Sequence, residues 1–272
     1  AQYGDFKYTS DSTSVTILEY TGKGGDVVVP STIEGKPVRT IYDRAFLGCA
    51  DVTGITIPDT VKFIGDSVFS NCISLTKISM PDSVEIIRDS CFEECKLLQS
   101  VQFGSGLKSI GATVFYSCPE LKVISVSTGN PHYCSSDGVL FDKNMTNLVL
   151  FPPGRAGEYA IPNGIRYIAS YAFFYCQALT SIVFPDTVEN IGQSAFYSCK
   201  EIKNVKFGKS LKTISGNAFS HCTKLSSLTI PDSVITLGDL AFAYCSALCN
   251  VQLGTGITSI GYSAFINCFN LS

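Results

Sequence analysis

Histidine is scarce in this 272-residue chain: His132 and His221 are the only two, and neither stands in a triad-like or HExxH context. A hydrolase or transferase needs a nucleophile beside a base, or paired carboxylates with a reason for shifted pKa values. No such set is present, so no catalytic residue is assigned. Charge is sparse too. With 16% charged residues and a net charge of −3 the chain carries no strong field, which argues against a nucleic-acid partner, since such binding usually shows a basic stripe. No apolar run approaches the ~18 residues of a spanning helix, so no membrane insertion is expected of this segment. The opening residues AQYGDFKY hold no apolar signal core, as would also be true of an exported chain after removal of its leader. A phosphate loop is missing, because GKGG at Gly22 to Gly25 lacks the following Ser/Thr and helix and reads as a turn. The close cysteine pairs Cys91/Cys95 and Cys245/Cys249 have no histidine nearby and lack CxxC spacing, so neither a metal site nor a cofactor is expected.

Repetition is what the chain has in abundance. A Phe followed three residues later by a Cys occurs at Phe46/Cys49, Phe69/Cys72, Phe92/Cys95, Phe115/Cys118, Phe173/Cys176, Phe196/Cys199, Phe219/Cys222, Phe242/Cys245 and Phe265/Cys268. Successive cysteines of this series are 23 residues apart, except for a gap of 58 between Cys118 and Cys176. A fixed period in this range marks a solenoid.

Apolar positions keep their places within each unit. Leu75, Ile78 and Met80 recur as Leu98, Val101 and Phe103, and again as Leu225, Leu228 and Ile230. This is an LxxLxL pattern whose last two residues sit at strand spacing and point to one side. A Pro or Gly then ends the strand, as at Pro81, Gly104 and Pro231. The return path carries a second inward pair, such as Val234 and Leu237, before an Ala-Phe turn. The apolar side chains of one unit cannot offset the entropy of ordering it, so neighbouring units must stack. Stacking places each Phe over the Phe before it and each strand beside its predecessor at ~4.8 Å.

The phrases IPDSVxxIGxxAFxxC, as they stand with small changes at Ile57 to Cys72 and Ile230 to Cys245, resemble the BspA-type leucine-rich repeats of bacterial surface proteins. The likeness covers Val38 to Leu271. It implies an α/β-type repeat solenoid: a right-handed superhelix with a parallel sheet on its concave side and short turns or 3-10 segments on its convex side. It also implies a secreted or cell-surface location and no conserved active site.

Nine of the twelve cysteines share one repeat position and would form an inward ladder, where small buried thiols are favoured over disulfides. Cys91 takes the Ala position before Phe92, whereas Cys134 and Cys249 fall outside the ladder and are expected to be the most accessible.

The whole chain, 1–272, is read as one solenoid domain. Residues 1–37 form a hairpin cap, with Phe6 and Tyr8, then Val15 and Ile17, alternating about a TSDSTS turn. A first repeat array spans 38–129. The segment 130–161 holds Val139 and Phe141, the loop DKNMT, and Leu148 and Leu150, and so repeats the hairpin cap in mid-chain. A second array spans 162–272 and reaches Leu271-Ser272 where another strand is due, without a closing cap.

Function then falls to the surface. Between the inward strand positions lie small polar residues and two lysines, with Lys77, Gln102, Lys206 and Gln252 as candidate partner-binding residues. Tyr171 and Phe174 are further candidates, in an aromatic cluster that could equally pack on the mid-chain hairpin. A protein or glycan ligand, such as host matrix or another cell, fits this face; so does plain solvent. The expected role is non-catalytic recognition or adhesion, with a structural spacer in a larger surface protein as the alternative. Lys62, Glu85 and Lys108, like Arg166, Glu189 and Lys212, alternate in sign from unit to unit and are assigned to register.

Overall fold

Rungs pair in a register of 23 residues: Val101 lies opposite Ile78 on one side and Ile124 on the other, and Ile86 opposite Phe63 and Ser109. The computed structural model describes residues 1–271, so the expected interruption at Leu271-Ser272 ends on a residue outside the described ones. The chain divides into two units, one from Ala1 to Gly138 and one beginning at Val139.

In the first unit one sheet contains Gln2–Tyr3, Phe6–Ser10, Val15–Tyr20, Lys36–Ile41, Phe63–Ile64, Ile86–Ile87 and Ser109–Ile110. Its first three strands pair antiparallel and the rest parallel. The LxxLxL positions build separate parallel ladders: Gly25–Val28 with Val52–Thr56, and Lys77–Ser79 with Ser100–Phe103 and Val123–Val126. In the second unit Val139–Asp142 pairs antiparallel with Asn147–Leu150, which leads a parallel ladder through Tyr167–Ile168, Asn190–Ile191, Thr213–Ile214, Thr236–Leu237 and Ser259–Ile260. Its LxxLxL ladders are Gly157–Ala160, Leu179–Val183 and Asn204–Lys206, then Ser227–Thr229 with Asn250–Gln252.

Between the ladders the inward residues close the core. Leu75, Ile78, Met80, Val84, Ile87, Phe92 and Cys95 are all buried. The phenylalanines stack in columns: Phe46, Phe69, Phe92 and Phe115 at centroid spacings of 5.4, 5.4 and 5.5 Å, and Phe173, Phe196, Phe219, Phe242 and Phe265 at 4.4, 4.7, 5.3 and 5.4 Å. Tyr20 opens the first column 5.1 Å from Phe46, and Phe151 opens the second 4.6 Å from Phe173. The Tyr20 N–H donates to Ala45 O, and the Phe151 N–H to Ala172 O, the same step that the Phe46 N–H makes to Val68 O.

The architecture is that of an all-β leucine-rich-repeat solenoid, and the expected α/β class with 3-10 segments is corrected: no helix occurs among the described residues. The Ala-Phe turn explains this. Its residues five and one before each Cys have positive φ, as at Ser67 (54°) and Asn71 (60°), or Leu240 (57°) and Tyr244 (60°). A left-handed residue every fourth position prevents any right-handed run. Instead the N–H groups of Ser67, Phe69 and Asn71 donate to the carbonyls of Asp89, Cys91 and Glu93 on the next rung. A third hydrogen-bonded ladder thus offsets the ~1–2 kcal/mol that each left-handed residue costs.

Candidate recognition surface

Strand alternation positions the outward residues: along Lys77-Ile78-Ser79-Met80 the exposures run exposed, buried, exposed, buried. In the first unit the outward positions of five strands form a shallow groove of about 710 Å³, whose lining includes Asp26, Thr56, Lys77, Ser79, Gln102 and Ser125. Two predicted residues, Lys77 and Gln102, therefore come together on adjacent paired strands. The second unit has a smaller hollow of about 320 Å³ that includes Asn204, Lys206, Phe207, Ser227, Thr229 and Pro231. Lys206 lines it, and Gln252 is exposed one strand beyond Thr229, its cross-strand partner.

Tyr171 and Phe174 lie away from these strand faces, on the turn side. Phe174 stacks on Tyr197 at 5.2 Å and meets Tyr171 edge-on at 5.5 Å. The stripe continues through Tyr197 to His221 (5.2 Å) and from His221 to Tyr244 (4.4 Å). Partial burial, with the nearby Lys200 ammonium, lowers the His221 pKa, so this ring stands neutral among aromatic neighbours.

All twelve cysteines are free thiols. The Cys95 and Cys118 thiols donate to Phe69 O and Phe92 O of the preceding rung, at 3.1 and 2.9 Å. Burial pushes the Cys72 and Cys118 thiols up to about 12, which leaves them protonated and unreactive. Cys249 is exposed, Cys134 and Cys49 half-buried. The sequence pointed to the first two; Cys49 differs from the other ladder cysteines because it occupies the first rung of the series. Among the described residues no group of three His, Cys, Asp or Glu could hold a metal ion.

The alternating charges do pair across rungs. Glu85 takes Lys62 at 3.1 Å and Lys108 at 2.6 Å, and Glu189 takes Arg166 at 2.5 Å and Lys212 at 3.0 Å. Hydrogen bonds and attraction from these cations hold both carboxyls below the usual range. Two devices escaped the sequence reading. Asp66 and Asp89 accept the Asp89 and Ala112 backbone N–H groups of the next rung at 3.0 and 2.7 Å. Asn130, fully buried, donates to Gly104 O and Leu107 O and accepts the N–H groups of His132 and Tyr133. Recurrence of Asp at one repeat position was a usable signal for the first; the single Asn130 offered none.

Comparison with solved structures gives the same fold at low identity. A leucine-rich cell surface protein from Faecalibacterium prausnitzii is 24% identical with a TM-score of 0.63, covering 100% of this chain and 93% of that one. The pneumococcal vaccine antigen PcpA is 20% identical with a TM-score of 0.68, covering 100% and 86%. A leucine-rich-repeat protein from Eubacterium ventriosum is 22% identical with a TM-score of 0.55, covering 95% and 91%. No curated protein matches the chain. The profile described as BspA type leucine rich repeat region matches residues 31–147 and 157–272, in six copies. With the rung register, the phenylalanine columns and this match over most of its length, the chain belongs to the BspA-type leucine-rich-repeat family.

Proposed function

We propose that the protein is a non-catalytic recognition or adhesion module, secreted or displayed on a bacterial surface, which binds a protein or glycan through the outward face of its LxxLxL strands. The observation that carries this reading is the contrast within one strand. Inward positions repeat from rung to rung, whereas the outward ones that line the first groove change: Thr56, Lys77, Ser79, Gln102 and Ser125. Packing dictates the former and leaves the latter free to suit a partner. The surface location rests on the family and on the printed description of the Faecalibacterium relative as a cell surface protein. A spacer role has its own support in the charge and aspartate ladders, which reinforce rung stacking without facing any groove. A binding panel of matrix proteins and glycans separates the two. Recognition predicts a ligand whose retention falls when Lys77 and Gln102 are both changed to Ala. A spacer predicts no ligand, or one indifferent to that change.

A further inference from the structure

The rung that follows Cys199 carries lysine at every third position: Lys200, Lys203, Lys206, Lys209 and Lys212. Residues 139–272 contain nine Lys and Arg against seven Asp and Glu, while 1–138 contain eleven against sixteen, and five of those nine cations fall on this rung. The repeat does not require them. One period earlier Lys203 and Lys206 are replaced by Thr180 and Val183, and one period later by Ser226 and Thr229.

Nor are the central three consumed by ion pairs. Lys212 is held by Glu189 at 3.0 Å, Lys200 sits over the Tyr175 ring at 5.9 Å, and the rung's own acid, Glu201, takes Lys224 at 2.7 Å. Asp186 is engaged by the Lys209 backbone N–H at 2.9 Å. Among the described residues no ion pair is formed by Lys203, Lys206 or Lys209, and all three are exposed. Exposed ammonium groups outside any ion pair favour an anionic occupant.

The surroundings narrow the occupant. Lys206 borders the hollow of about 320 Å³, near the lower end of small-ligand sites. Asn204, Ser227 and Thr229 give it hydroxyl and amide groups, and Phe207 and Pro231 give it apolar faces. Apolar faces beside hydrogen-bonding groups suit a sugar ring, and lysines are strongly hydrated point charges that meet sulfate or carboxylate without a fixed fork geometry. We propose that the exposed lysines Lys203, Lys206 and Lys209 of the second unit bind a linear anionic polysaccharide, with a sugar ring seated in the hollow that Lys206 borders.

This deepens the recognition role proposed above but uses a different groove, so the two can fail separately. The test is calorimetric titration of the whole chain with a size-defined heparin oligosaccharide at low ionic strength. The expected result is saturable binding that weakens with added salt, and weakens about tenfold or more in Lys203→Gln/Lys206→Gln/Lys209→Gln, whose thermal unfolding is unchanged. Lys62→Gln/Lys108→Gln, which removes ion-paired lysines of the first unit, should bind as the wild type does. Equal binding by the triple variant overturns the site. Equal affinity for polyglutamate, or for a neutral oligosaccharide of the same length, overturns the ligand class. Loss of binding only in Lys77→Ala/Gln102→Ala would overturn this site and leave the first groove standing.

Discussion

The Sγ of Cys95 lies 3.1 Å from the carbonyl oxygen of Phe69, 26 residues earlier, and donates to it. That carbonyl also receives the Cys72 N–H of its own rung, so one oxygen ties two rungs together. Cysteine at this position combines small size, burial and a weak donor. Cys95→Ala removes the donor and leaves a small void, and denaturant unfolding should register a loss of roughly 1–2 kcal/mol.

Thiol labelling follows from the same burial. A thiol reagent added to the native protein should modify Cys249 first and Cys134 and Cys49 more slowly. The buried thiols of Cys72, Cys95, Cys118, Cys199 and Cys222 should react only after unfolding, because protonated, inaccessible thiols are poor nucleophiles. Mass spectrometry of the labelled chain reads the order directly.

Phe196 sits between Phe173 and Phe219 at 4.4 and 4.7 Å and is fully buried. Phe196→Ala should cost about 3–5 kcal/mol by the cavity it leaves. Phe265 meets a neighbour on one side, Phe242, so Phe265→Ala should cost clearly less in the same unfolding measurement.

Gly208 illustrates a constraint of close approach. A Cβ there would stand 2.1 Å from Pro185 O, backbone of the preceding rung. Gly208→Ala must push two rungs apart and should destabilise by roughly 2–4 kcal/mol. Gly48, with φ of 72° and open space around its Cβ position, should tolerate Asn with a far smaller change in midpoint.

Acid should weaken the charge ladder. The folded-state pKa values of Glu85 and Glu189 are lowered, so their contribution is present above the ordinary glutamate value of about 4.3 and is lost as pH falls through the lowered values. Unfolding midpoints of Glu85→Gln/Glu189→Gln should lie below wild type near neutral pH and converge with it in acid. A constant gap across that range would show that the pairs contribute nothing through charge.

The 23-residue spacing, the phenylalanine columns and the Lys62–Glu85–Lys108 alternation were legible because each is a side-chain pattern repeated at fixed intervals. The turn was not. Ser67, Leu240 and Tyr244 adopt left-handed backbone with no glycine to announce it, since the conformation is imposed by carbonyls on the next rung. The expectation there was short turns or 3-10 segments; among the described residues the turns are present, the 3-10 segments are not, and a third ladder runs through them. On the surface, Lys77 and Gln102 were found by alternation alone, whereas their meeting in one groove depended on pairing at a step of 23 residues. The lysine series was visible residue by residue, but that Lys203, Lys206 and Lys209 form no ion pair among the described residues required the placement of Glu189, Glu201 and Asp186.

The central claim is that inward residues hold the fold and outward strand residues are available for recognition. It is tested most directly by measuring ligand binding and thermal unfolding together on Lys77→Ala/Gln102→Ala. The account predicts an unchanged unfolding midpoint with loss of a ligand that Lys203→Gln/Lys206→Gln/Lys209→Gln still binds. A lowered midpoint, or an unchanged midpoint with the ligand retained, would contradict it.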